Sequence, residues 1–301
     1  MKTATYTGLD GKPFSVQYDE TAPCRICKLP VIAASMGGTD VCSWCDMGQE
    51  RPDKKEPELY QTDIEEDLRG WTIPVLDHGY VRLVDWFGTD GRICEAARIS
   101  YKSPSKGDDA DKKLIAYLWK NKHTSPFEMV KITFNIKLPI FVMRQYVRHR
   151  MQNLNEMSAR YTELPNEFYI PEAWRQQDTK NKQGSITTDK SFMLVDKNGM
   201  GCSPSIKLKE HCETSYQLYQ DMLKLGIARE MARMVLPINI YTEIYATWDM
   251  KNLLHFISLR DDAHAQAEIQ EYGRAIKTMC KKLFPMVMDA YEKYKFQLVE
   301  K

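Results

Sequence analysis

The chain has 301 residues, a formal net charge of +1 at pH 7 and 43% hydrophobic residues. This length predicts one large domain with a small additional module, and the near-neutral charge argues against a protein that coats nucleic acid. No apolar run is long enough to span a bilayer, and residues 1–8 lack an apolar signal core. We therefore expect a cytoplasmic protein without a membrane partner.

The first predicted module, residues 1–60, is polar, rich in turn residues and holds four of the eight cysteines. These form two C-x2-C pairs, Cys24 with Cys27 and Cys42 with Cys45, separated by fourteen residues. In a cytoplasmic chain such thiols are more typical of metal ligands than of disulfides, and four thiolates complete a tetrahedral zinc shell. We predict a zinc-ribbon-like module with structural zinc; an iron centre and metal-free thiols are the alternatives.

Residues 49–68 are charged and proline-interrupted, which is typical of a linker, and we assign the linker between the two modules to residues 61–79. The main domain is predicted to cover residues 80–301. Hydrophobic periodicity predicts its first elements, which are strands over 80–86 and 129–138 and helices over 93–101 and 108–122.

The second half of the domain begins with a helix near Pro139 that leads into the basic run 148–150, followed by extended chain over 155–161. Residues 172–204 are polar and indicate a surface insertion. The remaining predicted elements are a helix over 205–225 ended by Gly226, a short helix over 228–236, a strand over 240–248, a helix over 250–260 capped by Asp249, a helix with the apolar stripe Ile269, Tyr272, Ile276, Met279 and Leu283, and a final helix over 286–296.

Residues 145–161 concentrate chemistry that could bind an anion carrying a hydrogen-bonding heterocycle. They include three guanidinium groups, an imidazole, a carboxylate, amides and a hydroxyl. Arginine binds phosphate in a fork, while glutamine, serine and glutamate can read the edge of a ring. A solvated basic helix end is the alternative, but the apolar residues that precede this segment argue against a freely exposed helix.

Four motifs resemble those of flavin-dependent thymidylate synthases, in the right order, over about residues 80–296. Arg148-His149-Arg150 is followed after seven residues by Ser158, within Asn155-Glu156-x-Ser158-x-Arg160-Tyr161. The other two motifs are His123-x-Ser125-Pro126-Phe127-Glu128 and Leu259-Arg260-x-x-x-His264-Ala265-Gln266-x-Glu268-Ile269.

The resemblance implies an α/β (α+β) fold, a mixed sheet flanked by helices, that assembles as a homotetramer with active sites between subunits. It also implies reductive methylation of dUMP to dTMP. Methylenetetrahydrofolate would supply the carbon and reduced FAD the hydride, with NADPH as the reductant of the flavin. There is no Rossmann glycine fingerprint, so the FAD site is implied by the resemblance alone.

The resemblance also implies which residues form the site. The dUMP pocket would comprise Gln145, Tyr146, Val147, Arg148, Glu156, Met157, Ser158, Ala159, Arg160, Arg233 and Arg260. The FAD contacts would be Ser125, Arg148, His149, Arg150, Glu156, Asp249, Met250, Lys251, His255 and His264, with His123 near the active site.

Two residues carry the expected catalysis. C5 of uracil is a poor nucleophile, and none of the eight cysteines lies in a matching catalytic context. We expect Arg260 to polarise the ring at its O2/N3 edge and Ser158 to orient the substrate, since a serine nucleophile needs a base within hydrogen-bond reach.

Two other functions remain open from the sequence. One is a nucleotide- or nucleic-acid-binding protein without turnover that uses the four-cysteine module, although nucleic acid is an unlikely partner at this net charge. The other is a flavoenzyme that methylates a different pyrimidine nucleotide, which pocket arginines alone do not exclude.

The cysteine spacing generates a test. We expect about one zinc per chain by elemental analysis, because four thiolates at this spacing form a closed structural site. Less than about half an equivalent of zinc, together with four titratable free thiols in the same preparation, would contradict the zinc assignment.

Overall fold

The computed structural model describes the backbone of residues 2–7 and 13–18 and, with side chains, residues 67–99, 107–182, 184–195 and 199–294. The chain divides into two compact units, Met1–Gln61 and Thr62–Lys301. In the first unit, strands β1 (Lys2–Thr7) and β2 (Pro13–Tyr18) pair antiparallel. The four predicted zinc ligands, Cys24, Cys27, Cys42 and Cys45, lie outside the described residues.

The second unit is built on a five-stranded sheet. Its strands, in spatial order, are β3 (Thr72–Val75), β4 (Gly79–Phe87), β5 (Lys131–Pro139), β7 (Tyr241–Asp249) and β6 (Asn153–Glu156). Every neighbouring pair is antiparallel. The sheet is therefore not mixed as the sequence-based resemblance implied, although the class of sheet with flanking helices is as expected.

Strand β5 shows why this sheet has two different faces. Ile132, Phe134, Ile136 and Leu138 are fully buried, while the residues between them are polar. Because successive side chains in a strand point to opposite faces, the apolar set packs on the helices and the polar set forms the other face. The strand predicted from this alternation is confirmed.

Strand β4 departs from simple alternation through a β-bulge between Leu83 and Asp85. The extra residue lets both Leu83 and Trp86 bury against the helices, although they are three positions apart. Asp85 then faces solvent and pairs with Arg69 at 2.9 Å.

Part of the segment interpreted as a linker belongs to this sheet. Strand β3 pairs along β4, and Leu68 and Val75 are buried in the core. Residues 68–75 therefore contribute an edge strand and core side chains, because the apolar residues Leu68, Ile73 and Val75 outweigh the charges before them.

The helices of the main core are α1 (Asp90–Arg98), α2 (Asp108–Lys120), α3 (Ile140–Tyr146), α6 (Met250–Arg260), α7 (Ala267–Leu283) and α8 (Pro285–Lys293). The predicted stripe of α7 is buried from Ile269 to Leu283. The predicted cap of α6 is also confirmed, since the Asp249 side chain accepts a hydrogen bond from the Asn252 N–H at 2.9 Å. Pro139, expected in the first helical turn, instead ends β5 with extended backbone.

The rest of the unit lies around a second apolar cluster of Ala159, Leu164, Phe168, Cys212 and Ile240. It includes α4 (Pro204–Lys224), α5 (Arg229–Ala232) and a 3-10 turn, Arg233–Val235. The predicted insertion contains two pairs of two-residue strands, Gln176–Gln177 with Ser185–Ile186 and Leu194–Val195 with Gly201–Cys202. Gly226 ends α4 in the left-handed region, φ +78°, as predicted. Within the described ranges, no helix is long and apolar enough to cross a bilayer.

Candidate functional site

The motif 148–150 lies in the turn that ends α3. The last turn tightens into i to i−3 bonds, from the Arg148 N–H to the Gln145 carbonyl and from the His149 N–H to the Tyr146 carbonyl, both 3.2 Å. Gln152 Nε2 then donates to the His149 carbonyl at 2.7 Å. These bonds turn His149 inward while Arg148 and Arg150 stay exposed.

One hydrogen bond joins this turn to the end of α6. Arg260 Nε donates to His149 Nε2 at 2.9 Å, across 111 residues of sequence. Since a guanidinium only donates, Nε2 must be unprotonated, and the neutral ring then carries its proton on Nδ1. His149 is thus held as a neutral tautomer, with Nδ1–H as its remaining donor.

An aromatic shell surrounds this pair. The His149 ring meets Phe256 edge-on with centroids 4.9 Å apart, and lies 6.2 Å from Trp248 and 6.0 Å from His255. Burial, together with the positive charge of Arg260 and the neighbouring His255, lowers the pKa of His149 to about 4. Burial also lowers the pKa of Arg260, and that of His255 falls through burial and the charges of Arg260 and Lys251.

The other residues of the α3 motif divide between core and surface. Tyr146 is fully buried and its hydroxyl accepts a bond from Trp248 Nε1 at 2.9 Å, so a ligand could reach only its backbone. Val147 is exposed. Arg148 and Arg150 are exposed and form no side-chain hydrogen bond or ion pair with the other described residues. Both guanidinium forks are therefore available to a phosphate.

In the second motif, β6 ends at Glu156. The N–H groups of Tyr161 and Thr162 both bond to the Ser158 carbonyl, at 3.0 and 3.1 Å, so the chain turns there. The expectation of extended chain over 155–161 is wrong beyond Met157. The Met157 N–H still donates to the Glu243 carbonyl of β7 at 2.9 Å, but the next part of that edge is taken by another segment, since the Tyr241 N–H donates to the Glu167 carbonyl at 3.0 Å. Met157 is half-buried, and Ala159 is buried in the second cluster.

Side-chain partners hold this turn against β7 and α5. Thr242 Oγ1 donates to Glu156 Oε1 at 2.9 Å. Arg160 Nε lies 3.3 Å from Glu230 Oε2, and Glu230 is on the helix that precedes Arg233. Arg160 and Arg233 are therefore both anchored at α5, and Arg233 is exposed without an ion pair to the described residues.

The stretch at the start of α6 meets the turn that contains Ser125. Lys251 Nζ lies 2.8 Å from Glu128 Oε1, and Glu128 and the exposed Ser125 share one 3-10 turn, Ser125–Met129. Met250, in contrast, is fully buried, so only its backbone could meet a ligand. His264 is exposed, and its ring pairs with Asp262 at 2.8 Å.

A further link joins α3 to α7. Gln145 Nε2 donates to Gln266 Oε1, and Gln266 Nε2 donates to Glu268 Oε2 at 2.8 Å. Gln266 and Glu268 belong to a motif that resembles the family, but neither residue was predicted to have a role. Glu268 is only 4% exposed in the first turn of α7. The sequence alone does not distinguish such a buried carboxylate from a solvent-exposed acidic residue at a helix start.

Comparisons with known proteins identify the family of the chain. Residues 82–286 match the family described as thymidylate synthase complementing protein. The chain belongs to this family.

Its relatives share most of their length with it. A flavin-dependent thymidylate synthase of Thermus thermophilus is 47% identical over 223 residues, covering 74% of this chain and 79% of the relative. One from Kosmotoga olearia is 43% identical, covering 73% and 92%, and one from Dictyostelium discoideum is 38% identical, covering 81% and 82%.

A solved structure is also similar. The UMP/dUMP methylase PolB from Streptomyces cacaoi, bound with 5-Br dUMP, is 32% identical with a TM-score of 0.61, covering 74% of this chain and 98% of that one. The same methylase bound with 5-Br UMP is 33% identical with a TM-score of 0.62, covering 74% and 97%.

The depressed pKa of His149 makes stability depend on pH. Between pH 6.5 and about 4 the unfolded chain binds a proton at this position that the folded chain excludes, so the free energy of unfolding falls as pH falls. We expect a loss on the order of 2 kcal/mol by pH 4, measured as the difference in urea unfolding between wild type and His149→Gln. The exposed His264→Gln is the matched control, and an equal pH slope in wild type and His149→Gln would contradict the buried neutral state.

Proposed function

We propose that the chain is a flavin-dependent thymidylate synthase that converts dUMP to dTMP by reductive methylation, with methylenetetrahydrofolate as carbon donor and NADPH as reductant. The observation that carries this proposal is the pair of links between the two distant motifs, Arg260 to His149 and Gln145 to Gln266. They bring a cation, a neutral imidazole and an amide together. Family membership supports the same activity.

The described residues fit a flavin dinucleotide. Arg148 and Arg150 offer two free guanidinium forks for phosphate, and His149 Nδ1–H adds a neutral donor. We assign FAD to these residues, with Ser125, Glu156, His255, His264 and the stretch Asp249, Met250 and Lys251. Bound and reduced, FAD supplies the hydride.

The dUMP site is assigned to residues from three parts of the chain, which are the turn that ends α3, the turn after β6 and the segment that follows α5. Arg148, Arg160 and Arg233 carry charge suited to the nucleotide phosphate. Gln145, Glu156 and Ser158 supply neutral and acidic hydrogen-bonding groups. Tyr146, Val147, Met157 and Ala159 complete the assigned pocket, with Tyr146 and Ala159 contributing backbone because their side chains are buried.

Arg260 is assigned the main catalytic role. Its guanidinium is half-buried and oriented by His149, whose neutral ring accepts the Nε–H and adds no second positive charge. Placed at the O2/N3 edge of uracil, it would stabilise negative charge as C5 becomes nucleophilic. A desolvated, charge-assisted contact of this kind supplies about 2–4 kcal/mol, or about 30- to 1000-fold in rate.

Three of the four described cysteines do not suit a thiolate mechanism. Cys94, Cys212 and Cys280 are buried, and burial raises the pKa of each thiol, to about 12 for Cys94. Ser158 Oγ accepts the Arg160 N–H at 3.3 Å and makes no hydrogen bond to a histidine or carboxylate among the described residues. Ser158 is therefore assigned to substrate orientation.

The remaining parts of the proposal rest on the family resemblance. A homotetramer is supported by large exposed apolar side chains, including Leu225, Met234 and Ile238, that a second copy could cover. Structural zinc at the four N-terminal cysteines and a cytoplasmic location complete it.

A different methyl acceptor is the main alternative to dUMP. The similar solved methylase is described as acting on UMP as well as dUMP, so UMP is a second candidate substrate. Initial rates with UMP and dUMP under the same conditions decide between them, because the two differ only in the 2′-hydroxyl.

The function is tested by tritium release from dUMP labelled at C5, with FAD, methylenetetrahydrofolate and NADPH present. We expect release that requires all components, since methylation replaces the C5 hydrogen. A purified protein that does not absorb as a flavoprotein after loading with FAD and releases no tritium would instead support a binding protein without turnover.

The two assigned catalytic residues should differ. Arg260→Ala should lose nearly all tritium release, about 30- to 1000-fold, because no other group replaces its charge at the ring. Ser158→Ala should retain measurable dTMP formation, because orientation is shared with neighbouring residues. Equal and complete inactivation of both variants, with folding and flavin binding intact, would overturn the assignment of Ser158.

A further inference from the structure

Four side chains form a continuous polar chain from the 172–204 insertion to the α3 motif. Arg175 Nη2 lies 2.5 Å from Glu268 Oε1, and the Tyr169 hydroxyl is 3.4 Å from the same oxygen. Glu268 Oε2 accepts from Gln266 Nε2 at 2.8 Å, and Gln266 Oε1 accepts from Gln145 Nε2. Glu268 is therefore the branch point between the insertion and the candidate site.

Charge fixes the direction of every bond in this chain. An ionised carboxylate only accepts, so Gln266 must turn its NH2 group toward Glu268 and its carbonyl oxygen toward Gln145. Gln145 must then donate its own NH2 group to Gln266. Its carbonyl oxygen is left for an external partner. One fixed acceptor orients both amides, whichever of their end atoms are assigned as nitrogen and oxygen.

Glu268 stays ionised despite its burial. Burial alone would raise its pKa, but hydrogen bonds from Arg175, from its own backbone N–H and from Gln266 outweigh burial and leave the pKa below its ordinary value. The groups that face the carboxylate are Arg175, Tyr169 and Gln266, and they come from the insertion, the 157–170 segment and the α7 cap. All three can donate, and Arg175 adds a full positive charge.

We propose that Glu268 is a positioning residue that fixes Gln145 as a hydrogen-bond acceptor toward the bound nucleotide. The proposal rests on the function proposed above, which places Gln145 in the nucleotide pocket. The matching ligand chemistry is an N–H or O–H donor. A uracil nucleotide offers two, the ring N3–H and the sugar 3′-hydroxyl.

The fixed amide makes the site selective for ligands that carry a hydrogen-bond donor opposite Gln145. An unanchored glutamine can rotate its amide and accept or donate with little penalty, so it does not discriminate. An amide held in one orientation by a buried charge leaves an unpaired acceptor when the ligand lacks the donor. An unpaired buried polar group reduces binding by about tenfold or more.

Calorimetric binding to the FAD-loaded chain tests this, with three probes: dUMP, 3-methyl-dUMP, which lacks N3–H, and 2′,3′-dideoxyuridine monophosphate, which lacks the 3′-hydroxyl. For wild type we expect at least one analogue to bind about tenfold or more weakly than dUMP. The analogue that is penalised identifies the donor.

The decisive variant is Glu268→Gln, whose amide can donate or accept and so releases the orientation of Gln266 and Gln145. We expect the analogue penalty to fall below about threefold. Glu271→Gln is the matched control, since Glu271 lies on the same helix but is exposed and paired with Arg274 at 2.6 Å, and its penalty should equal that of wild type. If Glu268→Gln does not fold, Gln266→Met interrupts the relay while keeping Glu268 with Arg175, and should also abolish the penalty.

An unchanged penalty in a folded Glu268→Gln or Gln266→Met variant would overturn the proposal, as would equal binding of all three probes by wild type. Failure of wild type to bind dUMP at all would contradict the proposed function instead. In that case neutron diffraction still tests the orientation of the two amides. Deuterons on Gln145 Nε2 that point at Gln266 support the proposal, and the reverse orientation overturns it.

Discussion

The hydrogen bond from Arg260 Nε to His149 Nε2 is the contact on which the candidate site depends. It forces a choice of protonation state, since a guanidinium next to a buried imidazole is tolerable only if the imidazole is neutral. The edge-on aromatic contact with Phe256 keeps the ring dry and reinforces that choice. The arginine therefore gains orientation without gaining a competing positive charge beside it.

The sheet and helices supply the rigidity that this contact needs. Arg260 ends a helix that starts from a capped position directly after β7, and His149 follows a helix that starts directly after β5. Strands β5 and β7 are paired over nine residues. The paired strands β5 and β7 therefore position both Arg260 and His149, and the two side chains meet without a long, mobile connection between them.

Local sequence patterns predicted helices and strands well where a single interaction determines the structure. The alternation in β5, the cap at Asp249 and the stripe on α7 each follow from a single periodic or hydrogen-bonding rule. The predictions were wrong where two forces compete. Pro139 fits the start of a helix but also an extended strand end, and pairing with β7 decided for the strand.

The candidate site residues were assigned from motifs, and the contacts between them were not predicted. Motif resemblance brought Arg260 and the turn 148–150 together by family, yet the bond to His149 depends on the tertiary packing of α6 against the α3 turn. The role of Glu268 was not predicted, because sequence does not show that Arg175, 93 residues away, neutralises it. Long-range charge compensation leaves no periodic signature along the chain.

The bulge in β4 implies that deleting one residue has different effects at different places in the sheet. The residue absorbed between Leu83 and Asp85 leaves the strand segments on either side out of phase in sequence but in phase in space. Shortening the chain by one residue at this point would restore a regular ladder, with Leu83 and Trp86 still facing the helices. The same deletion in the middle of β5 would exchange its inner and outer side chains beyond the cut and drive lysine and threonine into the protein interior.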